Sequence, residues 1–147
     1  MDQEEAKQKK NTWWDKIVGI VFFVVAYSLV RTFMNGGVSD PSLEQALVTA
    51  SQQINKNTPM TLDQYTEMTT TLASGKQLIY MYRYLGDGQV SQADLNNYLK
   101  SGIVTGVCTT PETKKLVDMG AGLVYRYYNT DNRLIGEIPV DSSNCVE

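Results

Sequence analysis

The apolar positions of this chain are unevenly distributed, and one run stands apart from the rest. Residues 17–30, IVGIVFFVVAYSLV, are fourteen consecutive residues without a charge. As a helix this run spans only about 21 Å, less than the roughly 30 Å hydrocarbon core of a bilayer. Extended to residues 13–34, the helix reaches about 33 Å, and the long side chains of Lys16 and Arg31 can extend to the membrane surface. We therefore predict a transmembrane helix over residues 13–34.

Aromatic residues at both ends of this helix favour a single-pass membrane anchor. Trp13 and Trp14 lie at one predicted interface and Phe33 at the other, with Phe22 and Phe23 inside the span. A buried core helix is the weaker interpretation, because a helix that is apolar all round needs a larger protein to bury it. A cleaved signal peptide is also disfavoured, since the leader is long and no small-x-small cleavage site follows.

The basic residues that flank the span predict its orientation. Four lysines precede or open it: Lys7, Lys9, Lys10 and Lys16. After Arg31 the next basic residue is Lys56, so the positive-inside rule places residues 1–12 in the cytoplasm. The acidic residues of the leader count for little in this rule. We therefore expect a bacterial inner-membrane protein whose C-terminal domain, residues 42–147, lies in the periplasm after a linker, residues 35–41.

The first half of that domain shows a helical pattern followed by two strand patterns. Apolar residues recur at helical spacing at Leu43, Ala46, Leu47, Ala50 and Ile54. Asp40 and Pro41 predict the start of this helix and residues 57–59 its end. Residues 60–72 and 76–85, separated by Ala-Ser-Gly, predict a hairpin of two strands.

The second half repeats this arrangement with an additional helix. Ser91 and Asp94 have the spacing of a capping box that opens a helix to about Lys100. Thr110 and Pro111 predict the start of another helix, which stops at residue 120. Residues 123–128 and 134–140 then predict a second hairpin. The order α-β-β-α-α-β-β indicates an α+β fold class, with a four-stranded antiparallel sheet and helices on one face.

Two tyrosine-rich strands resemble each other, IYMYRYLGD at residues 79–87 and VYRYYNTD at residues 124–131. Strand alternation places Tyr80, Tyr82 and Tyr84 on one face of the first. If the helices cover the other face, the tyrosine face is left to bind a peptide, glycan or partner protein. The alternative is that these tyrosines are ordinary strand residues. The candidate partner-binding residues are Tyr82, Arg83, Tyr125, Arg126 and Tyr127.

The composition excludes several classes of enzyme. The chain has no histidine, which removes the imidazole-based machinery of serine, cysteine and zinc hydrolases. It also has neither a P-loop nor a GxGxxG motif. The carboxylate pairs Asp63 with Glu67 and Asp131 with Glu137 are of a kind that an acidic surface contains by chance. We therefore predict a protein that is not an enzyme and uses no metal or cofactor.

The charge balance argues against nucleic acid as a partner. From residue 35 onward there are eight Lys and Arg against twelve Asp and Glu. A net negative domain repels a phosphate backbone unless a local basic patch overrides the total. The arginine and tyrosine pattern of the two strands does not form such a patch, so no nucleic-acid binding is expected.

Cys108 and Cys145 are the two cysteines of the chain, and both follow the predicted anchor. An even count in an exported domain predicts one disulfide. It would close a loop of about 38 residues, which in the chain-entropy model removes roughly 4 kcal/mol of unfolded-state freedom. The alternatives are two unpaired thiols in a cytosolic domain, and a catalytic redox pair, whose CxxC spacing is not present.

Several segments together resemble a pattern of small bacterial envelope proteins. They are INKNTPMTLDQYTEM, LIYMYRYL, VCTTPETKKLVDMGAGLVYRYY and LIGEIPVDSSNC, which cover roughly residues 54–145. The pattern has a Y-x-Y strand, a Cys-x-x-Pro segment, a second Y-x-Y strand and a final cysteine. The resemblance implies an envelope location and pairing of the two cysteines, but no activity. Its polar positions match Asn55, Pro59, Asp63 and Thr66, which would either fix the turn into the first strand or line a small cleft.

These observations favour a membrane-anchored periplasmic module that binds an envelope protein or cell-wall component without catalysing a reaction. The alternative hypothesis is an immunity-type inhibitor of a toxin, or of another enzyme, that acts in the periplasm. Nothing in the residues identifies the partner.

Overall fold

A computed structural model describes residues 42–146 of the chain. The predicted cytoplasmic tail, transmembrane helix and linker, residues 1–12, 13–34 and 35–41, lie outside the described residues, as do the aromatic anchor residues within them. Within residues 42–146, none of the helices has the length and apolar character needed to cross a membrane.

The described residues form a mixed α+β fold, as predicted. A helix, three strands, three helices and two strands follow one another, and a short 3₁₀ helix ends the chain. In order they are α1 (Leu43–Asn55), β1 (Met60–Asp63), β2 (Thr66–Ser74), β3 (Gln77–Tyr84), α2 (Gln92–Tyr98), α3 (Lys100–Thr109), α4 (Pro111–Asp118), β4 (Gly122–Tyr128), β5 (Leu134–Val140) and the 3₁₀ helix (Ser142–Cys145).

The prediction of a four-stranded antiparallel sheet is wrong in two respects. The sheet has five strands in the order β1-β2-β3-β4-β5, and its central pair, β3 with β4, is parallel. Between these strands α2, α3 and α4 return the chain to the end of the sheet at which β3 began. A connection of this length is what a parallel pair requires, whereas a tight turn can join only antiparallel neighbours.

The fifth strand arises because residues 60–72, predicted as one strand, contain a turn. The Asp63 Oδ1 atom accepts a hydrogen bond from the Tyr65 backbone N–H at 2.7 Å, which is the local bond of an Asx turn. The chain reverses there, so that Asp63 pairs with Thr66 and Met60 with Met68. The segment is therefore a short hairpin of β1 and β2.

Capping residues in the sequence correctly predicted where two of the helices begin. The predicted box at α2 is confirmed: Asp94 Oδ2 accepts from the Ser91 N–H at 2.8 Å, and Ser91 Oγ accepts from the Asp94 N–H at 3.3 Å. Helix α4 begins at Pro111, also as predicted. Helix α1 begins after Ser42, whose Oγ accepts from the Gln45 N–H, and not directly after Asp40.

Helix α3 was missed by the sequence prediction. Its sequence, KSGIVTGVCT, contains two glycines and five β-branched residues, all of which have low intrinsic helix propensity. Tertiary packing compensates, because Ile103 and Val107 are buried in the core. Cys108 therefore lies in the last turn of a helix and not in a connection before one.

The helices cover one face of the sheet and form a single core with it. Among the described residues, this cluster joins apolar helix side chains to alternate positions of the strands. The helices contribute Leu47, Ala50, Ile54, Leu95, Ile103, Val107, Leu116 and Val117, and the strands Met68, Leu78, Tyr80, Tyr82, Leu123, Tyr125, Ile138 and Val140. The sheet thus has a helix-covered face and an opposite face.

Candidate functional site

The two tyrosine-rich strands are neighbours, and their side chains form a ladder. Parallel pairing of β3 with β4 places Tyr80 beside Tyr125 and Tyr82 beside Tyr127. The ring centroids of each pair are 4.9 Å apart and nearly parallel. This separation equals the spacing of neighbouring strands in a sheet, so in-register pairing of two Y-x-Y segments stacks the rings directly.

The tyrosine ladder lies on the helix-covered face, which decides between the two alternatives that the sequence left open. Tyr82 and Tyr125 are each 4% exposed, and Tyr127 is partly buried against the same core. Burial raises the pKa of all four ladder hydroxyls well above that of a free tyrosine. The hydroxyls therefore stay protonated at physiological pH, and the rings serve as packing groups.

The two predicted arginines project from the opposite face. Arg83 and Arg126 alternate with the tyrosines along β3 and β4 and lie across from the acidic residues of the outer strands, Glu67 and Glu137 respectively. Both ion pairs are therefore cross-strand pairs. The structure thus separates the five predicted partner-binding residues into three packing tyrosines and two arginines on the face that no described helix covers.

The two arginines differ in how well their donors are satisfied. Arg126 Nε donates to Glu137 Oε2 at 2.8 Å, and this hydrogen bond is the main reason that the pKa of Arg126 is raised. Arg83 Nη1 is 3.8 Å from Glu67 Oε2, and its Nη2 donates to Asn132 Oδ1 at 3.3 Å. Its Nε is buried, and no described residue accepts a hydrogen bond from it.

A row of apolar residues crosses the same face of the sheet, two residues along β3 from Met81. The strand registers place Leu72, Ile79, Val124 and Pro139 side by side. Ile79 and Val124 are buried but do not belong to the main core cluster. Leu72, at one end of the row, is 49% exposed. The face therefore carries an apolar centre with an accessible margin, next to two arginines.

A side-chain amide bonds the outward backbone groups of one residue on β5 and one on β2, beyond the end of the short strand β1. Gln92 of α2 accepts from the Glu137 N–H at 2.8 Å and donates to the Glu137 carbonyl at 3.0 Å. Asn55 of α1 makes the same pair of bonds with Thr71, at 2.7 and 2.9 Å. Each amide occupies the backbone groups that an added strand would use, which is a known way to block edge-to-edge pairing.

Neighbouring residues reinforce this protection. A Cβ at Gly136 would overlap the Gln92 side chain, so glycine permits the approach of the amide to β5. Pro139, two residues beyond Glu137, has no N–H to offer a partner strand. At the other edge β1 is only four residues long and its register shifts between Thr61 and Asp63. A partner is therefore more easily bound by the sheet face than by an edge.

The predicted disulfide is confirmed. Cys108 and Cys145 are bonded, with their Cα atoms 5.3 Å apart and a sequence separation of 37. The bond joins the last turn of α3 to the terminal 3₁₀ helix, which contacts α3 and α4. In the chain-entropy model a loop of this length stabilises the folded state by roughly 4 kcal/mol.

The polar motif of the sequence has structural roles. Asn55 closes the β2 edge, Asp63 forms the turn between β1 and β2, and Thr66 opens β2. Pro59 follows a cis peptide bond just before β1. An open depression of about 470 Å³ lies at one end of the sheet, and it is lined by Lys76, Gln77, Gly120, Ala121, Gly122, Asp141, Ser142 and Ser143. None of the four motif residues lines it.

Three of the four acidic residues considered from the sequence make structural contacts. Asp63 accepts from the backbone of Tyr65, Glu67 faces Arg83, and Glu137 is paired with Arg126. Across residues 42–146 no cluster of His, Cys, Asp or Glu has the size needed to hold a metal ion. Asp63, Glu67 and Glu137 therefore contribute to a turn and to the cross-strand ion pairs of the sheet.

Comparison with known proteins identifies relatives of the fold. No protein-family model matches the chain, and no curated protein matches its sequence. Among solved structures, a candidate secreted protein from Pseudomonas aeruginosa is similar with a TM-score of 0.62 and 19% identity, over 75% of this chain and 100% of that one.

Two further similar structures are pilotins. EpsS, the pilotin of the Vibrio vulnificus type 2 secretion system, has a TM-score of 0.61 and 17% identity, over 71% of this chain and 93% of its own. The type II secretion system pilotin AspS from Vibrio cholerae has a TM-score of 0.55 and 16% identity, over 70% and 92%. At these identities the likeness establishes a shared fold, which covers nearly the whole length of each relative.

Proposed function

We propose that this chain is a non-enzymatic interaction module of the bacterial envelope, anchored in the inner membrane by residues 13–34 with its folded domain in the periplasm. The partner is another envelope protein. Arg83 and Arg126 contact it, whereas Tyr82, Tyr125 and Tyr127 hold the two strands in register beneath them. The described domain provides the surface and the predicted anchor keeps it at the membrane.

The observation that carries this proposal is the sheet face on which none of the helices within residues 42–146 packs. A monomeric domain normally covers both faces of an apolar sheet or makes one face polar. Here the second face has an apolar row that ends in the half-exposed Leu72 and continues toward Arg83 and Arg126. Apolar contact area beside arginine is the composition that protein interfaces favour.

The similar structures support an envelope role. Two of them are pilotins of type II secretion systems and the third is a candidate secreted protein. We take this shared fold as support for a binding role of this chain in the envelope. The disulfide is consistent with a compartment in which thiols are oxidised.

Photo-crosslinking in intact cells tests this function. A photoreactive amino acid at Leu72 of the full chain should form an adduct with a specific envelope protein, because this residue lies at the accessible margin of the face. The matched control is Tyr98 at the end of α2, which is 79% exposed and belongs to the helical side of the domain. Equal adducts from both positions would contradict a specific role for the sheet face.

Affinity measurements with the identified partner provide the second step. Leu72→Asp should weaken its binding by about tenfold or more, as expected for a charge placed in an apolar contact. Tyr98→Asp should leave the affinity unchanged. If Leu72→Asp binds as tightly as the unmodified chain while remaining folded, the sheet face is not the binding surface.

A further inference from the structure

One N–H of the Arg83 guanidinium has no described acceptor, and this indicates which chemical group of the partner it binds. Arg83 and Arg126 occupy the same face of adjacent strands, and each lies across from a glutamate. Arg126 meets its glutamate at hydrogen-bond distance, whereas Arg83 remains 3.8 Å from Glu67. Both arginines lie on the same surface, so their distances to the glutamates can be compared directly. Arg126 uses its Nε–H within the domain, whereas Arg83 keeps an N–H group without an acceptor.

The geometry of these donors indicates which group would bind. The Nε and Nη2 atoms of an arginine form a planar fork that matches the two oxygens of a carboxylate. At Arg83 the Nε has no described acceptor and the Nη2 makes one bond of 3.3 Å to Asn132. A buried N–H without an acceptor is unfavourable, so supplying an acceptor contributes to affinity.

Access to this fork comes from the solvent side. The Arg83 side chain is 39% exposed, so the guanidinium can turn toward an incoming carboxylate, which would replace the amide oxygen of Asn132. Within the described domain Asn132 Oδ1 accepts from Nη2, and the Glu67 carboxylate stays 3.8 Å from Nη1, so neither of them accepts a hydrogen bond from Nε. Arg83 also lies four residues along β3 from Ile79, or about 13 Å from the apolar row.

We propose that Arg83 binds a carboxylate of the partner, an acidic side chain that lies about 13 Å from the apolar residues covering the Leu72 row. This inference rests on the proposed function, because it concerns the same sheet face. It adds the chemistry of the contact: an acidic group held by Nε and Nη2, with Glu67 as an internal competitor that weakens binding.

Nuclear magnetic resonance of the arginine Nε–H groups tests the inference directly. The full chain, labelled with ¹⁵N and held in a non-ionic detergent, would be titrated with N-acetylglutamate at constant ionic strength. The Arg83 Nε–H resonance should shift in a saturable manner. The Arg126 Nε–H resonance, already bonded to Glu137, is the matched control in the same spectrum and should not shift. Arg83→Lys identifies the Arg83 signal by its loss.

Two variations of the titration make the result specific. Glu67→Gln should lower the apparent dissociation constant for N-acetylglutamate by about two- to fivefold, the range expected for removal of an exposed ion pair. N-acetylglutaminamide, which has amides in place of both carboxylates of N-acetylglutamate, should give no saturable shift, because it offers the fork no charged pair of oxygens. A role limited to strand packing predicts no saturable shift with either compound.

Several outcomes would overturn the inference. They are the absence of a saturable shift at Arg83, an equal shift at Arg126, an equal response to N-acetylglutaminamide, and an unchanged affinity in Glu67→Gln. Each of these leaves the crosslinking test at Leu72 unaffected, since that test does not require a carboxylate. Failure of the carboxylate inference and failure of the proposed function are therefore distinguishable.

Discussion

Tyr82 packs in the core, although the sequence pattern also allowed it to contact a partner. Its ring is buried and stacks between Tyr125 and Tyr127. We expect Tyr82→Ala to lower the free energy of unfolding by about 3–5 kcal/mol, as for other large-to-small substitutions in a core. Denaturant unfolding followed by circular dichroism measures this change.

A matched substitution separates burial from loss of a tyrosine. Tyr98→Ala removes an exposed tyrosine and should change stability by no more than about 0.5 kcal/mol. If Tyr82→Ala proved as stable as Tyr98→Ala and bound the partner less tightly, the original hypothesis of a tyrosine binding face would be restored.

Asp94 makes one local contribution to stability that depends on pH. Its carboxylate accepts hydrogen bonds from the Ser91 hydroxyl and backbone N–H, and the hydroxyl bond is the larger cause of its lowered pKa. Because the pKa is lower in the folded state, the stabilisation is present above the unfolded pKa. It is lost as the pH falls through the folded pKa.

The variant Asp94→Ala tests this dependence. We expect it to unfold at a lower temperature than the unmodified chain at neutral pH, and the difference should shrink as the solution is acidified below about pH 4, the ordinary range of an aspartate. Thermal midpoints recorded over a pH series give the comparison. A difference that stays constant down to acid pH would show that the carboxylate charge is not involved.

At the scale of elements, Gln92 joins helix α2 to strand β5 and closes that edge of the sheet. Gln92→Ala removes both amide bonds to Glu137, which should cost about 1–2 kcal/mol and leave the edge open to another strand. We therefore expect faster hydrogen exchange at the Glu137 amide and greater self-association, measured by exchange mass spectrometry and analytical ultracentrifugation.

The control for this element-level prediction is Gln52→Ala on α1, which removes an exposed glutamine from a helix. It should alter neither the exchange rate at Glu137 nor the association state. If Gln92→Ala also behaves like the unmodified chain, Pro139 and the remaining contacts of α2 are sufficient to protect the edge, and the amide is not required.

For the whole molecule, location and covalent structure can be tested together. The predicted topology places Cys108 and Cys145 in the periplasm, and the structure joins them in a disulfide. Treatment of intact cells with a thiol-reactive polymer should leave both cysteines unmodified, and modification of both should appear on a gel only after reduction. Reaction of both thiols without reductant would contradict an oxidised periplasmic domain.

Local signals explain which parts of the fold were predictable. The Ser91 and Asp94 cap, the proline that opens α4 and the apolar stripe of α1 depend on residues a few positions apart, and each was confirmed. Helix α3 was missed because glycines and β-branched residues weaken its local preference, while its stability comes from burial of Ile103 and Val107. The Asx turn at Asp63 was missed because it lies inside a run that otherwise favours a strand.

The candidate site, too, was predictable from the sequence only where it depends on local spacing. The sequence identified Arg83 and Arg126 and placed them opposite the tyrosines, since alternation along a strand is a local property. It could not determine which face the helices cover, because Leu78, Tyr80 and Tyr82 on one face of β3 are about as apolar as Ile79 and Met81 on the other. The edge bonds of Asn55 and Gln92 were also unpredictable, as they join residues 16 and 45 positions apart.

By itself, the sequence determined the α+β class, most element positions, the cysteine pairing and the absence of histidine chemistry. Composition and short-range spacing are sufficient for these properties. Only the tertiary structure decided that β3 and β4 run parallel, that their tyrosines are buried and that Arg83 keeps a donor without an acceptor. These features depend on the path of α2, α3 and α4 across one face of the sheet, and that path is selected by packing between residues far apart in the chain.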